Sequence, residues 1–244
     1  MNQSYDFSIE KIKNLSLKEK ILRQKNLDLF YESGFPDKRV EDWKFTDLSL
    51  ILNKNFENIS NDINFEPNKE LETIKNFEHN YIFLTNGKMI STNFEHEEKS
   101  KILIKDYNRL ETTNIDPLNT LELLNNALSL GGFSLEIIKN YKLKKPLVVY
   151  NYFSVGLKNK ILNNKNSIKL NEGSELILID YNEDNTQDNF IKNTIDIVSL
   201  DKNATLKNIL IQNSKSNGHF YKYIKSSLED SSSYESYILS SGLK

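Results

Sequence analysis

In this chain of 244 residues, hydrophobic residues recur at helical spacing in the first third and in short strand-like runs later. In the first third they recur at helical spacing behind a capping signature, in which Ser16 and Glu19 satisfy free backbone N–H groups at a helix start. Gly34 and then Pro36 stop the pattern. A helix is therefore predicted over residues 17–33. Its predicted apolar face consists of Leu17, Ile21, Leu22, Leu29 and Phe30.

The middle of the chain changes from polar to strand-like. Residues 53–68 are rich in Asn and show no clear period, so a loop is predicted there. The apolar run Tyr81–Leu84 is followed by Asn86-Gly87, a pair that accepts the positive φ angles of a tight turn. A β-hairpin is predicted at this point, with another short strand at Ile102–Ile104.

A second helix is predicted over residues 117–130. Asp116 is its N-cap, Pro117 fits the first helical position, and Gly131 marks the end. The predicted apolar face consists of Leu118, Leu121, Leu124 and Leu128.

Everything after Gly132 is typical of strands joined by short polar turns. The predicted strands are Phe133–Ile138, Leu147–Phe153, Ser167–Leu170, Leu176–Tyr181, Thr194–Leu200, Leu206–Gln212, Phe220–Leu228 and Tyr234–Leu239.

A repeat connects the later strands. Leu170 to Leu176, Leu200 to Leu206 and Leu228 to Tyr234 each enclose a polar turn, at offsets of 200 − 170 = 30 and 228 − 200 = 28. Gly173, Asn203 and Ser231 fall within the turns, where Gly and Asn relieve backbone strain. The repeat favours stacked coils of a β-solenoid. A β-sandwich, whose strands also recur every 8–12 residues, stays open as the alternative.

Composition narrows the class of protein. The chain is 38% hydrophobic, but its 13 Phe and 12 Tyr distinguish it from a disordered sequence. A net charge of −2 gives no basic field for nucleic acid or an anionic membrane. Without Cys there is no disulfide and no thiolate ligand. There is no apolar signal segment and no run near the roughly 18 apolar residues of a membrane span, so a cytoplasmic location is expected.

The most distinctive segment is GFPDKRVEDWKFTDL at residues 34–48, which contains the only Trp of the chain. We expect Trp43 to anchor the segment by burying its ring, with Phe45 and Leu48 in the same small core. The charged residues Arg39 and Lys44 can pair with Glu41 and Asp42. Physical chemistry alone predicts an anchor here.

This segment resembles the N-terminal signature of the SufD family, subunits of the SUF iron–sulfur cluster assembly complex. The matching positions are Gly34, Pro36, Glu41, Trp43, Lys44 and Thr46. Residues 82–89 resemble the family's strand–Asn-Gly–strand element. A helix-to-strand passage is matched by Leu124, Asn125, Ala127, Gly132 and Ile137. The sister subunit SufB shares the β-helix but lacks the Trp signature.

The resemblance implies an α+β protein: a helical N-terminal region at residues 1–80, then strands at 81–244 that lead into a right-handed parallel β-helix. It implies a non-catalytic scaffold that pairs with SufB, and with SufC through a C-terminal helical domain. Iron–sulfur cluster and ATP belong to the whole complex, and no cofactor, metal or catalytic residue is transferred to this chain. Family members are longer, so we expect a truncated β-helix that associates end to end; a natural short form stays open.

Catalytic motifs are not recognised in the sequence. His79 and His96 lie in acidic, polar segments and are expected to be solvated, whereas His219 is expected to pack at a turn. The Gly residues do not form a phosphate loop. The run from Asp180 to Asp184 begins like a calcium loop, but the match fails at its sixth and twelfth positions, and a solvated turn is predicted.

A different class of function is a β-helix carbohydrate-active enzyme. It needs facing carboxylates on one solenoid face, for which the candidates are Asp180, Asp196, Asp201 and Asp230. The repeat offsets do not place them at one coil position, and an export signal is not recognised. The same missing signal argues against an adhesin-like solenoid.

Overall fold

The computed structural model describes residues 4–63, 72–107, 120–184, 186–213 and 217–241. The described helices are α1 Leu17–Ser33, α2 Leu48–Asn55 and α3 Thr120–Leu128. Short 3₁₀ turns lie at Ile9–Lys11, Glu41–Trp43 and Lys99–Lys101. The strands before the repeat region are β1 Ser4–Asp6, β2 Asn58–Ser60, β3 Asn80–Thr85, β4 Lys88–Asn93 and β5 Ile102–Asp106. The later strands are β6 Phe133–Ile137, β7 Leu147–Phe153, β8 Lys160–Leu170, β9 Glu175–Asp184, β10 Phe190–Leu200, β11 Thr205–Asn213, β12 His219–Leu228 and β13 Ser233–Ser241.

Helix α1 has the predicted bounds and the predicted ends. The Ser16 side chain accepts from the Glu19 N–H and the Glu19 side chain from the Ser16 N–H, so the capping box is confirmed. Gly34 caps the C-terminus with φ +70, a conformation that a Cβ atom would strain.

The predicted apolar face of α1 is confirmed for Phe30, which is fully buried, and wrong for Leu17 and Ile21. Leu17 and Ile21 are 75% and 60% exposed. The buried residues are Glu19, Arg23, Asn26, Leu27 and Phe30. The side chains that α1 buries are determined by its packing against α3. Arg23 Nη1 donates to the Ala127 carbonyl at 2.8 Å, and the C-terminal turn of a helix favours a cation.

The loop predicted at residues 53–68 is wrong over its first part. Helix α2 continues to Asn55, and β2 follows almost at once with the fully buried Ile59. Residues 61–63 have no regular structure, as predicted, and residues 64–68 lie outside the described residues. Strand β2 pairs in parallel with β1 and touches β8 through Ser60. The N-terminal region thus adds two short strands to the sheet of the repeat region.

The predicted hairpin is confirmed. Strands β3 and β4 pair antiparallel, and Asn86 and Gly87 both have positive φ, 49 and 86. The short strand predicted at Ile102–Ile104 is β5, which pairs antiparallel with β6.

The repeat forms a solenoid. Leu170, Leu200 and Leu228 are aligned across β8, β10 and β12, and Leu176, Leu206 and Tyr234 across β9, β11 and β13. All these pairings are parallel, whereas a β-sandwich is built from antiparallel strands. The β-solenoid is confirmed and the sandwich is wrong.

The turns of successive coils are stacked as well. Gly173, Asn203 and Ser231 have φ angles of 67, 61 and 58. Gly173 N–H donates to the Lys202 carbonyl and Asn203 N–H to the Asp230 carbonyl. Asn140, with φ 59, occupies the same place one coil earlier. The sequence Ile137 to Leu143 is therefore another copy of the repeat, missed because its offset is 170 − 137 = 33.

The helix predicted over residues 117–130 is described from Thr120 and ends at Leu128. Its predicted N-terminal residues Asp116, Pro117 and Leu118 lie outside the described part. It ends early because the Leu130 N–H already donates to Asn163 of the sheet. The matched passage is buried: Leu124, Asn125, Ala127 and Ile137 are all inaccessible.

The coils enclose an apolar core between two sheets. The first sheet has the order β1-β2-β8-β10-β12, with β6 on β8 and β5 on β6. The second has the order β13-β11-β9-β7-β3-β4. Representative core residues are Ile82, Leu84, Val149, Leu178, Val198 and Leu206. Helices α1, α2 and α3 pack on the outside of the first sheet through Ile161 and Ile191. No helix of the described ranges combines the length and apolar character that a bilayer span needs.

Candidate functional site

The Trp-containing segment folds back over the last coil of the solenoid. Gly34 ends α1, and the buried Pro36 follows, its carbonyl accepting from the Ser49 N–H at 3.2 Å. A single 3₁₀ turn carries Trp43, and Asp47 then caps α2 by accepting from the Leu50 N–H. The segment is therefore fixed at both ends, and its tip faces β12.

Trp43 lies against Tyr221 of β12. Their rings are stacked with centroids 5.7 Å apart and planes 28° apart. Leu48 packs on the same apolar cluster, as predicted. The anchor prediction holds for Trp43 only in part, because its ring is half-buried.

Phe45 does not belong to this core, so that prediction is wrong. Its side chain is 91% exposed, with Lys44 Nζ 5.3 Å from the ring centroid. The reason is local: the 3₁₀ turn aims Trp43 at β12, so a residue two positions later points to solvent. Lys44 pairs with Glu41 at 2.5 Å as predicted. Arg39 pairs with Asp37 instead of Glu41 or Asp42.

A cleft of about 440 Å³ opens beside Trp43. Its walls are Pro36, Val40, Asp42, Trp43, Thr46, Thr120, Tyr221, Lys222 and Tyr223. Of the signature positions, Pro36, Trp43 and Thr46 meet here. Gly34 stays at the helix end, and Glu41 and Lys44 bond each other on the outside of the segment. Three signature residues thus line the cleft, whereas Gly34, Glu41 and Lys44 lie away from it.

A second polar constellation lies inside the solenoid, where sequence reasoning did not place one. Lys222 Nζ is 2.5 Å from Asp180 Oδ2 and 2.7 Å from Asp196 Oδ2. Asn151 and Asn166 donate to the other oxygen of Asp180 and of Asp196 respectively. Both carboxylates are therefore fully bonded within the interior.

The charges inside the solenoid compensate each other. Burial would lower the pKa of Lys222, but the charges of Asp180 and Asp196 outweigh it and raise that pKa above its ordinary value. Burial would raise the pKa of Asp180, but Lys222 and Lys192 lower it. Burial lowers the pKa of Lys192 to about 8 despite Asp180. Lys192 Nζ donates to Asn182 at 2.7 Å.

These contacts correct the predicted surroundings of Asp180. It lies within strand β9 and faces the interior, so the solvated turn predicted at this place is wrong. The buried charges could have been inferred from β12, where Phe220, Lys222 and Ile224 alternate with the outward residues. A lysine there takes the inward position between two apolar residues.

The histidines have structural partners. His79 is half-buried instead of solvated, with Nε2 2.8 Å from the Tyr150 hydroxyl and Nδ1 2.9 Å from the Phe77 carbonyl. His96 is also only partly exposed, 3.7 Å from Glu95. His219 packs on Phe56, which fits the predicted packing role, and burial lowers its pKa. Within the described ranges, no three His, Asp or Glu side chains are placed to share a metal ion.

Fold and sequence together define the class of protein: a helical N-terminal region that leads into a parallel β-helix. The family model described as "SufBD protein N-terminal region" matches residues 5–149. The chain belongs to this SufB/SufD family, which connects it with iron–sulfur cluster assembly. A search of the curated proteins gives no match.

Proposed function

We propose that this chain is a SufD-type scaffold subunit of the SUF complex that takes part in iron–sulfur cluster assembly without catalysing a reaction itself. The observation that carries the choice of SufD over SufB is the complete signature from Gly34 to Leu48, centred on Trp43. By resemblance, the subunit pairs with SufB through the β-helix and meets SufC through the C-terminal helical domain of longer family members.

The non-catalytic role is supported by the contacts that the buried charged side chains make with one another. Asp180, Asp196 and Lys222 bond one another, so none of these ionisable groups is held ready for a substrate. These 244 residues contain no Cys, so they offer no thiolate ligand to a cluster. The proposed role of this chain is to hold partners in place.

No observation favours a carbohydrate-active enzyme. Such an enzyme needs two carboxylates that flank the scissile bond in an accessible groove. Asp180 and Asp196 are buried inside the solenoid, where Lys222 bonds both.

Affinity purification tests the proposal. The tagged 244-residue chain is co-expressed with SufB and SufC of the same organism, together and one at a time. We expect SufB to be retained when expressed alone with the chain, and SufC to be retained only when SufB is present. Retention of SufC alone, or of neither protein, would contradict the proposed pairing. ATP hydrolysis by the purified chain would contradict the non-catalytic role.

A further inference from the structure

Three asparagines form a polar seam between α3 and the first sheet. Asn125 lies on α3, and Asn163 and Asn193 lie in register on the adjacent strands β8 and β10. Their exposed fractions are 0%, 3% and 0%. A buried polar atom without a hydrogen bond destabilises the folded state. Each donor and acceptor of these three amides therefore has to be accounted for.

The hydrogen bonds of the seam determine how each amide is turned. Asn125 Nδ2 donates to the carbonyls of Asn164 and Asn193, each at 2.9 Å. Asn193 Nδ2 donates to the Leu121 carbonyl at 2.9 Å and to Asn163 Oδ1 at 2.8 Å. A backbone carbonyl only accepts, so the amides of Asn125 and Asn193 cannot be turned over. Asn163 must then present its oxygen to Asn193, which fixes its own nitrogen as well.

The atoms that remain form a defined set. Asn125 Oδ1, Asn193 Oδ1 and Asn163 Nδ2 have no hydrogen-bond partner among the described residues. They are two acceptors and one donor, and they belong to amides that successive hydrogen bonds hold side by side beneath α3. The seam thus offers a small polar site enclosed by protein on all sides.

This mixture of groups determines which ligand the site can take. A metal cation would accept the two oxygens but be repelled by the N–H groups of Asn163. An anion would accept that donor but be repelled by the two oxygens. A water molecule donates two hydrogen bonds and accepts others, so it can satisfy all three atoms. Buried waters in proteins typically make about three hydrogen bonds.

We propose that this seam binds a single water molecule, which donates to Asn125 Oδ1 and Asn193 Oδ1 and accepts from Asn163 Nδ2. The water joins α3 to two successive coils and thereby helps to position the helical layer on the solenoid. Both β8 and β10 are paired on each side, so the site does not depend on a sheet edge. It is also independent of the proposed role in cluster assembly.

Side-chain amide resonances measure this site directly in the unaltered chain. In nuclear Overhauser spectra of the nitrogen-15-labelled protein, the Nδ2 protons of Asn163 should show a cross-peak to water with the sign of a bound molecule. Asn151 is the internal reference, because its Nδ2 donates to the Val149 carbonyl and to Asp180. It should show no such cross-peak.

Crystallography and one pair of variants complete the test. The crystal structure of the unaltered chain should show one density peak about 2.7–3.2 Å from all three atoms. Asn163→Met removes the donor and extends an apolar side chain into the place of the water, so the peak should be absent. Asn55→Met is the matched control, since Asn55 makes an exposed bond within its own helix, and it should keep the peak. Far-ultraviolet circular dichroism verifies that both variants fold.

Several results would overturn the proposal. The absence of a water cross-peak at Asn163 would show that the seam is dry, whether or not Asn163→Met folds. A density peak with the anomalous scattering of an ion would assign the site to another ligand. A peak that persists in Asn163→Met, or one that contacts fewer than the three named atoms, would show that this amide set does not hold the water.

Discussion

Lys222 Nζ lies 2.7 Å from Asp196 Oδ2 inside the solenoid, and the same ammonium group also bonds Asp180. Lys222 is on β12, Asp196 on the adjacent β10, and Asp180 on β9 of the opposite sheet. One side chain therefore joins the two sheets and three successive coils. Such a contact stabilises the last coil only while both signs of charge are present.

Replacing Lys222 tests this interior contact. Lys222→Met leaves two buried carboxylates without their cation and should lower the free energy of unfolding by about 3–5 kcal/mol, measured by urea denaturation. The control is Lys169→Met, whose exposed pair with Glu136 at 3.8 Å should contribute about 0–1 kcal/mol. Equal effects of the two changes would show that burial of the Lys222 contact has no energetic consequence.

Glu97 gives a defined pH dependence. Burial would raise its pKa, but bonds from Asn80, Tyr141 and the backbone of Lys144 and Lys145 outweigh this and lower it. A carboxyl whose pKa is lower in the folded state contributes stability above its unfolded value, about 4.3, and loses it as the pH falls through the folded value. We expect Glu97→Gln to cost about 1–3 kcal/mol at pH 7.

The check is the difference in unfolding free energy between the unaltered chain and Glu97→Gln, measured from pH 7 downward. It should stay constant to about pH 5 and shrink below that. Glu57→Gln, at an exposed carboxylate away from this cluster, is the control and should change the unfolding free energy by less than about 0.5 kcal/mol. A difference that grows on acidification would contradict the assigned direction of the Glu97 pKa.

Asn125 fastens α3 to the first sheet. Its Nδ2 donates to the carbonyls of Asn164 and Asn193, each at 2.9 Å. Asn125→Ala removes both hydrogen bonds and should destabilise the chain by about 1–3 kcal/mol, at about 0.5–1.5 kcal/mol for each bond. Thermal unfolding measures it. Asn55→Ala is the control, because Asn55 makes one exposed bond to its own helix, and its midpoint should change little.

The stacked turns predict opposite effects of two substitutions. Ser231 has φ 58, so Ser231→Gly should stabilise the chain by up to about 1 kcal/mol. Gly173 has φ 67, and a Cβ there would lie 2.6 Å from Asn140 Oδ1; Gly173→Ala should destabilise it by about 1–2 kcal/mol. Urea midpoints that move in the same direction for both variants would contradict the shared turn conformation.

The exposure of Ile238 predicts that these 244 residues, expressed alone, self-associate at high concentration. Ile238 of β13 is 69% exposed beside two edge strands, whereas the first coil is flanked by the antiparallel strands β4 and β5. Association through a single kind of end gives dimers instead of filaments. Sedimentation at tens of micromolar, roughly the affinity range of such contacts, should show dimers that Ile238→Lys abolishes and Leu17→Lys on α1 does not.

The solenoid was predictable because its signal is repeated. A hydrophobic residue, a turn and a second hydrophobic residue recur with offsets that equal the observed strand register. Helix α1 was predictable at its ends, where Ser16, Glu19 and Gly34 act through local backbone geometry. Its buried face was not, because the reason for burying Arg23 is a carbonyl at Ala127, far away in the sequence.

The residues of the site could be recognised in the sequence, but their contacts could not. The segment around Trp43 is visible as a motif, but the residue against which it packs, Tyr221, follows only from the stacking of the coils. The buried ion pairs of Lys222 were not predicted, for a related reason. Asp180 and Asp196 are polar residues in strands with one solvent-facing side, and their inward direction depends on a register that is fixed by distant partners.

Iron content of the assembled complex tests the scaffold role most directly. SufB and SufC are purified anaerobically with and without this chain under cluster-forming conditions, and iron and acid-labile sulfide are measured per SufB. We expect the complex that contains the chain to carry more iron and sulfide, while the chain alone carries neither. Equal content with and without the chain, or a cluster bound by the chain alone, would contradict the proposed role.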